Sequence, residues 1–169
     1  MSFKPENIII ETEEGSEFYK IRYKEGKRST KIMFQIDHAQ IPFGLDEEYG
    51  QYYITIGIRD KEYIEYIKTI EEGLREVLCE RLLDDAVIFE EIGIRTQIRP
   101  SKNNYLIKTK IPQYKERFIV TCKDNSGFYK SILDIEKGSW GTFVLYIDYA
   151  WLKDEQIHYK WKVHRLELE

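Results

Sequence analysis

One segment of this sequence carries helical periodicity, and this restricts the folds that the chain can adopt. From Asp60 to about Leu83 the apolar residues recur at three- and four-residue steps, which predicts a single long amphipathic helix with Asp60 as its N-cap. The apolar positions are Ile64, Ile67, Ile70, Leu74, Val77, Leu78 and Leu82. No rhythm of alternating strands and helices surrounds this helix, so a parallel α/β sheet is not expected.

The sequence on both sides of the helix alternates at the two-residue period of β-strands. Residues 18–36 predict an N-terminal hairpin with its turn at Glu25-Gly26. Residues 142–152 are nearly apolar on both faces and predict one central strand, and residues 157–164 predict one alternating strand. Further strands are predicted at residues 51–58, 105–111 and 117–123. About eight short strands and one long helix indicate a barrel-like, β-rich α+β fold.

Length and composition are typical of an intracellular, soluble protein of one domain. The 169 residues suffice for one core. No apolar run approaches the roughly 18 residues of a membrane span, and the N-terminal residues lack the apolar region of a signal peptide. Cys79 and Cys122 do not have a metal-binding spacing. They are therefore expected to be reduced and to pack as small buried hydrophobes.

Basic residues are unevenly distributed in a chain of net charge −4. Residues 19–31 contain six Lys or Arg against the single acid Glu25, and residues 95–112 contain five without any acid. This distribution indicates a local positive surface on an otherwise acidic protein, although two ordinary solvated faces would produce the same counts.

No motif for catalysis, nucleotide binding or metal binding is present. The P-loop, dinucleotide-binding, nucleophile-elbow and zinc-protease patterns are absent from the sequence. His158 and His164 share a strand face but lie about 20 Å apart at strand spacing, which is too far for a shared metal ion. The Gly-Ser-Trp-Gly segment at 138–141 precedes a strand and predicts a tight turn. We therefore expect neither an enzyme nor a cofactor nor a metal site.

Aromatic and basic residues are interleaved on several predicted strands. The segments are Y-K-I-R-Y-K at 19–24, Y-L-I-K-T-K at 105–110, F-Y-K at 128–130 and H-Y-K-W-K at 158–162. Lysine and arginine neutralise phosphates, and exposed aromatic rings stack on unpaired bases. The pattern favours a protein that binds single-stranded nucleic acid, whereas any one aromatic residue is more often part of a core.

The order of several motifs resembles a known family over residues 30–168. I-P-F-G-L-D at 41–46 precedes the strand Y-Y-I-T-I-G-I and the long helix, as a P-F-G-L element does in that family. Y-L-I-K-T-K-I-P matches its strand of alternating lysines, and residues 146–166 resemble its closing hairpin with a Trp-bearing strand and a basic strand. The family is that of the single-stranded DNA-binding proteins of large DNA viruses, which is similar to the phage-type OB-fold proteins of the same function.

The resemblance implies a single OB-fold-like domain over residues 1–169, with the N-terminal hairpin and the helix added to the barrel. It implies non-catalytic, largely sequence-independent binding of single-stranded DNA in viral replication, recombination or repair. Replication or recombination proteins would be partners, and the host cytoplasm or nucleus would be the location, without secretion or membrane attachment. Phage-type members also carry a long acidic C-terminal tail. This sequence ends with only Glu167 and Glu169, so recruitment through such a tail is not expected.

The resemblance also suggests which residues contact DNA. Residues in the range 95–110 would line the groove and one of its mouths, residues 20–24 would extend it, and residues 128–130 would reach a base from a loop. The candidates are Lys20, Arg22, Lys24, Arg95, Arg99, Lys102, Tyr105, Lys108, Lys110, Phe128, Tyr129, Lys130 and Trp140. Trp140, flanked by glycines in a predicted turn, is expected to be the most exposed tryptophan, whereas Trp151 and Trp161 are expected to belong to the core.

Two alternatives remain open from the sequence. The same surface suits an RNA-binding or transcription-associated protein, because nothing in the sequence reports a preference for the 2′-hydroxyl. Tyrosine-rich strands also suit a structural or scaffold protein that assembles with other viral proteins. A homodimer is compatible with every one of these interpretations, since several edge strands need covering.

Overall fold

The computed structural model describes residues 2–83 and 92–169, which form many short strands and one long helix. The helix α1 comprises Lys61–Leu83. The strands are β1 (Ile8–Thr12), β2 (Phe18–Glu25), β3 (Arg28–Thr30), β4 (Ile32–Ile41), β5 (Leu45–Glu48), β6 (Gln51–Ile58), β7 (Gly93–Ile94), β8 (Ile98–Pro100), β9 (Tyr105–Ile111), β10 (Gln113–Tyr114), β11 (Arg117–Phe118), β12 (Thr121–Lys123), β13 (Ser139–Ile147), β14 (Tyr149–Lys153), β15 (Gln156–Tyr159) and β16 (Lys162–Leu168).

Contacts within the described residues divide the chain into two compact units, each built from three segments. The sheet unit comprises Met1–Ile32, Ile64–Thr96 and Ile147–Lys160. The barrel unit comprises Met33–Tyr63, Gln97–Tyr146 and Trp161–Glu169. The chain therefore passes from one unit to the other several times, and residues that are distant in sequence meet in each of them.

Five strands of the barrel unit form a closed barrel. They follow the order β16-β13-β4-β6-β9, and β9 returns to β16 through a parallel pair in which Lys110 lies opposite Lys162. A five-stranded Greek-key barrel of this kind is the OB-fold architecture. The prediction of an OB-fold-like, β-rich α+β protein is confirmed. Its interior is apolar, with the fully buried side chains Ile54, Ile107 and Phe143.

The remaining strands of the barrel unit extend this barrel. Strand β5 follows β4 after a bend and pairs with β6, while β8 pairs with β9. Strand β12 runs parallel to β16, and β10 and β11 form a separate two-stranded hairpin.

The sheet unit contains the predicted N-terminal hairpin only as far as Thr30, because the residues from Ile32 onward form β4 and pair in the barrel sheet. Its strands follow the order β1-β2-β14-β15-β7, with β3 paired to β2. The turn lies where the sequence predicts, because Glu25 pairs with Arg28 across Gly26, whose φ is +59°. Ile21 is buried, whereas Lys20 and Arg22 lie on the other side of β2. The predicted division of this strand into an apolar and a basic face is confirmed.

Helix α1 packs tightly within the sheet unit at two of its residues. A Cβ atom at Gly73 would lie 2.6 Å from the ring of Phe3 and 3.2 Å from Pro5, which explains a glycine inside a helix. The buried carboxylate of Glu71 accepts hydrogen bonds from the hydroxyls of Tyr159 and Thr96. These bonds connect the helix to β15 and satisfy a polar group that would be costly to bury alone.

Several predicted strands prove to be longer than the real ones. Residues 117–123 divide between β11 and β12, which belong to different sheets. Residues 142–152 do not form one central strand, because β13 ends at Ile147 and β14 begins at Tyr149 in another sheet. Between them the Asp148 carbonyl accepts a hydrogen bond from the backbone N–H of Ile21 (2.8 Å). Likewise residues 157–164 divide between β15 and β16.

Both cysteines are free and buried, as predicted. Burial raises the pKa of the Cys79 thiol and of the Cys122 thiol, so both favour the protonated, unreactive form. Among the described residues there is no helix long and apolar enough to span a membrane. No group of three or more His, Cys, Asp or Glu side chains suited to a metal ion occurs in that part of the chain.

The N-cap of α1 gives a direct test of the helix boundary. The Asp60 carboxylate accepts a hydrogen bond from the backbone N–H of Glu62 (2.8 Å). We expect Asp60→Ala to lower the free energy of unfolding by about 1 kcal/mol, because it leaves that N–H without its acceptor. Urea denaturation followed by circular dichroism measures the loss. Asp60→Asn retains an acceptor and is the control, and equal stability of the Ala variant and the wild type would contradict the cap.

Candidate nucleic-acid interface

Strand β9 presents lysines on the outside of the barrel. Side chains alternate along a strand, and Ile107 and Thr109 are fully buried. Lys108 and Lys110 therefore point away from the core, and Lys108 is exposed. Tyr105 lies on the opposite side of β9 from these two lysines, together with Ile107. The two predicted lysines thus share a face, which Tyr105 does not join.

Two neighbouring strands add basic residues to the same side of β9. Arg99 on β8 pairs with Leu106, which places it on the side of β9 that carries Lys108. Lys162 on β16 pairs with Lys110 at the point where the barrel closes. We refer to Arg99, Lys108, Lys110 and Lys162 as the cationic face. Lys162 is not among the residues predicted from the sequence, since its pairing with β9 depends on barrel closure and not on a local pattern.

Lys108 already has two partners on this surface. Its Nζ atom lies 2.7 Å from Oε1 of Glu48 on β5 and 4.4 Å from the centre of the Tyr53 ring on β6. The side chains of Lys108 and Glu48 are each about half exposed, so their ion pair contributes little to stability. Tyr53 is only 7% exposed and lies beneath this lysine. A bound phosphate would therefore compete with Glu48 for Lys108.

Exposed aromatic rings lie near one end of the β6–β9 pair. Tyr49 is fully exposed in the two-residue turn before β6, where it and Gly50 have positive φ angles, as type I′ hairpin turns require. At this end Tyr52, near the start of β6, pairs with Ile111, the last residue of β9. The β10–β11 hairpin follows Ile111 directly and carries the exposed Tyr114, so this ring also lies near that end. Neither tyrosine is among the residues predicted from the sequence. The Tyr-Gly dipeptide before a strand was the signal for Tyr49.

The predicted loop at residues 125–127 is present and carries two exposed rings. The Asp124 carboxylate accepts hydrogen bonds from the backbone N–H groups of Ser126 (2.9 Å) and Phe128 (3.0 Å), which shapes the turn. Phe128 and Tyr129 are exposed. The Nζ atom of Lys123 lies 5.0 Å from the centre of the Tyr129 ring. This loop provides the aromatic and basic pair that the sequence predicts, with Lys123 in addition to Lys130.

Trp140 is less accessible than the sequence suggests. It lies in the first residues of β13 and not in a turn. Its ring is half-buried and stacks on the His38 ring at 4.4 Å, and the Arg59 guanidinium lies 5.1 Å from its centre. The His38 imidazole also contacts the Glu169 carboxylate at 2.8 Å. One ring face of Trp140 is therefore occupied by His38, which leaves less surface for a base.

The other two tryptophans differ from each other. Trp161 is fully buried, which confirms the prediction that it belongs to the core. Trp151 is only half-buried on β14, so the same prediction is wrong for it.

The remaining candidates belong to other parts of the fold than the strands that form the cationic face. Lys20, Arg22 and Lys24 lie on β2, and Arg95 follows β7, so all four belong to the sheet unit. Lys102 is exposed in the turn between β8 and β9 of the barrel unit. The cationic face therefore unites Arg99, Lys108 and Lys110 of the predicted residues.

The fold resembles that of a known class, the phage single-stranded DNA-binding proteins. The single-stranded DNA-binding protein from bacteriophage Enc34 shares the fold in three solved structures. Its C-terminal truncation matches with a TM-score of 0.53 at 14% identity, covering 97% of this chain and 94% of that chain. The protein without that truncation matches with a TM-score of 0.53 at 13% identity, covering 95% and 88%.

The third structure is the Enc34 protein in complex with single-stranded DNA, with a TM-score of 0.50 at 12% identity, covering 97% of this chain and 96% of that chain. No protein-family model matches the sequence, and no curated protein matches it either. At these identities the likeness concerns the fold, and it confirms the predicted resemblance to phage-type proteins at that level.

Proposed function

We propose that this protein binds single-stranded DNA through the cationic face of its barrel, without catalysis and largely without sequence preference. The observation that carries the proposal is the position of this face. In OB-folds the outer surface of the second and third strands binds oligonucleotides, together with adjacent loops. Here β6 and β9 occupy those positions in the barrel, and β9 carries Lys108 and Lys110.

The binding mechanism follows from the chemistry of these side chains. Ammonium and guanidinium groups on the cationic face neutralise phosphates and release the counterions that surround a nucleic-acid strand. Exposed rings at the end of the β6–β9 pair, such as Tyr49 and Tyr114, offer stacking surfaces worth roughly 1–3 kcal/mol per base. Neither interaction reads base identity, so tolerance of sequence is expected.

The likeness to the Enc34 protein supports this assignment, since the structures with the shared fold are of a single-stranded DNA-binding protein and one contains single-stranded DNA. We place the activity in viral DNA replication, recombination or repair inside the host cell, with proteins of those processes as partners. A single strand exposed during such processes presents the phosphates and unpaired bases that this surface accommodates.

Charge reversal at two lysines tests the proposal. We expect Lys108→Glu/Lys110→Glu to weaken binding to oligo-dT at least tenfold. It should also reduce the magnitude of the slope of log K against log salt by about 1.4, or about 0.7 for each lost phosphate contact. Fluorescence anisotropy of a labelled oligonucleotide at several salt concentrations measures both quantities.

A matched control separates local contacts from net charge. Lys61→Glu/Lys68→Glu makes the same change in net charge at two exposed positions of helix α1. This control should retain the wild-type slope. If the β9 variant and the helix variant lose affinity equally, the cationic face is not the binding surface.

Loss of the ion-pair partner of Lys108 should strengthen binding to oligo-dT, whereas loss of the lysines should weaken it. We expect Glu48→Gln to strengthen binding to oligo-dT roughly two- to fivefold, because Lys108 no longer has to leave a carboxylate in order to meet a phosphate. Glu47→Gln is the control, since Glu47 pairs with Tyr52 and lies on the opposite side of β5 from Glu48. Equal effects of the two substitutions in the same titration would contradict a role for the Lys108–Glu48 pair.

A further inference from the structure

A second surface with aromatic and basic residues lies on the sheet unit. The register places Phe18 opposite Trp151, and Trp151 opposite His158, across three adjacent strands. Tyr149 lies opposite Lys20 and, two residues from Trp151, points to the same side. We refer to Phe18, Tyr149, Trp151 and His158 as the aromatic face. Alternation puts the buried Ile21, Ala150 and Tyr159 on the other side of the sheet.

The rings of the aromatic face contact one another and remain accessible. The Phe18 ring lies edge-on to Trp151 at 5.8 Å and to Tyr149 at 6.4 Å. The Trp151 and His158 rings stack at 5.7 Å with an interplanar angle of 18°. Phe18 is 49% exposed and Tyr149 is 38% exposed. A cluster of large rings on the solvent side of a sheet is unusual for a surface that nothing covers.

Charge varies along the strands of this surface. Beyond the aromatic face, β2 continues with Lys20, Arg22 and Lys24 on the same side. Among the described residues that the β1–β2 register places on this side, Glu11 is the one carboxylate, and it lies 4.0 Å from Arg22. The opposite end of the strands carries acidic turns. These turn residues are Glu13, Glu14, Glu17, Asp154 and Glu155.

We propose that the aromatic face binds a second segment of single-stranded DNA, whose bases stack on the rings while its phosphates contact Lys20, Arg22 and Lys24. Rings next to cations are the two elements that single strands require. A duplex hides its base faces in the stack and would use only the cations. The acidic turns at the other end disfavour phosphates, so the DNA would run from the aromatic rings toward the basic residues and not toward these turns.

This inference adds a separate surface to the proposed function, and it rests on that function only for the choice of DNA as the ligand. It gives Lys20, Arg22 and Lys24 a role within the sheet unit, where the structure places them, and it includes Trp151, which sequence analysis assigned to the core.

Photo-crosslinking tests the aromatic face directly. Oligo-dT with 5-iododeoxyuridine at successive positions is irradiated with the full chain, and adducts are located by mass spectrometry. We expect adducts on peptides that contain Phe18, Tyr149 or Trp151 in addition to adducts on the barrel unit. Wild-type binding with adducts on the barrel unit alone would overturn the inference but not the proposed function. Adducts on the sheet unit alone would support the inference and contradict the barrel as the binding site.

Variants provide the second measurement. We expect Phe18→Ala/Tyr149→Ala to shorten the stretch of poly-dT occluded by each molecule by about two to three nucleotides, the number that a sheet platform stacks. Affinity for long oligo-dT should fall about tenfold or more. Lys20→Glu/Arg22→Glu should lower it as well, whereas the helix control Lys61→Glu/Lys68→Glu should not. Circular dichroism establishes that each variant is folded.

Other occupants of the aromatic face give different results. If Phe18→Ala/Tyr149→Ala changes the molecular mass in light scattering and leaves the occluded length unchanged, the face contacts a second copy of the chain and the inference is wrong. If oligo-U forms adducts on the sheet unit and oligo-dT does not, the ligand is RNA and the inference is again wrong. Failure of wild-type protein to bind oligo-dT at low salt would instead contradict the proposed function itself.

Discussion

The parallel pairing of β9 with β16 is the constraint on which the barrel unit depends. The backbone N–H of Lys110 donates to the carbonyl of Trp161 (2.9 Å) and closes the barrel. Trp161 itself is completely buried, and the pairing brings Lys162 beside Lys110. A hydrogen bond between residues 51 positions apart in sequence therefore joins the edges of the barrel, at the point where two lysines that the proposed function uses lie side by side.

Most elements of the fold could be predicted because their residues repeat a local pattern. The spacing of apolar residues located helix α1, and Asp60 marked its first turn. The pattern failed where the chain changes sheets. Across residues 157–163 the buried side chains keep strict two-residue alternation although β15 and β16 belong to different sheets. A chain crossing that leaves the alternation in phase cannot be recognised from the sequence. At Asp148 the phase does change, from the buried Ile147 to the buried Ala150, but the nearly continuous run of apolar residues conceals the change.

The candidate interface was only partly predictable. Alternation along β9 placed Lys108 and Lys110 on one face from sequence alone, and the structure agrees. The partner Glu48 could not be foreseen, because it depends on the register of β5 against β6 and β9. The position of Trp151 on an exposed face, next to Phe18, depends equally on the pairing of β14 with β2. Strand register between distant segments, more than residue type, decides which aromatic residues reach the surface.

The most direct test of the central claim is the affinity of the wild-type protein for labelled oligo-dT, oligo-U and duplex DNA by fluorescence anisotropy at low and moderate salt. A cationic face on an OB-type barrel predicts binding to oligo-dT that is tighter than binding to duplex and that weakens as salt rises, since phosphate contacts release counterions. Absence of binding to all three ligands at low salt, or an affinity for oligo-dT that does not change with salt, would contradict it.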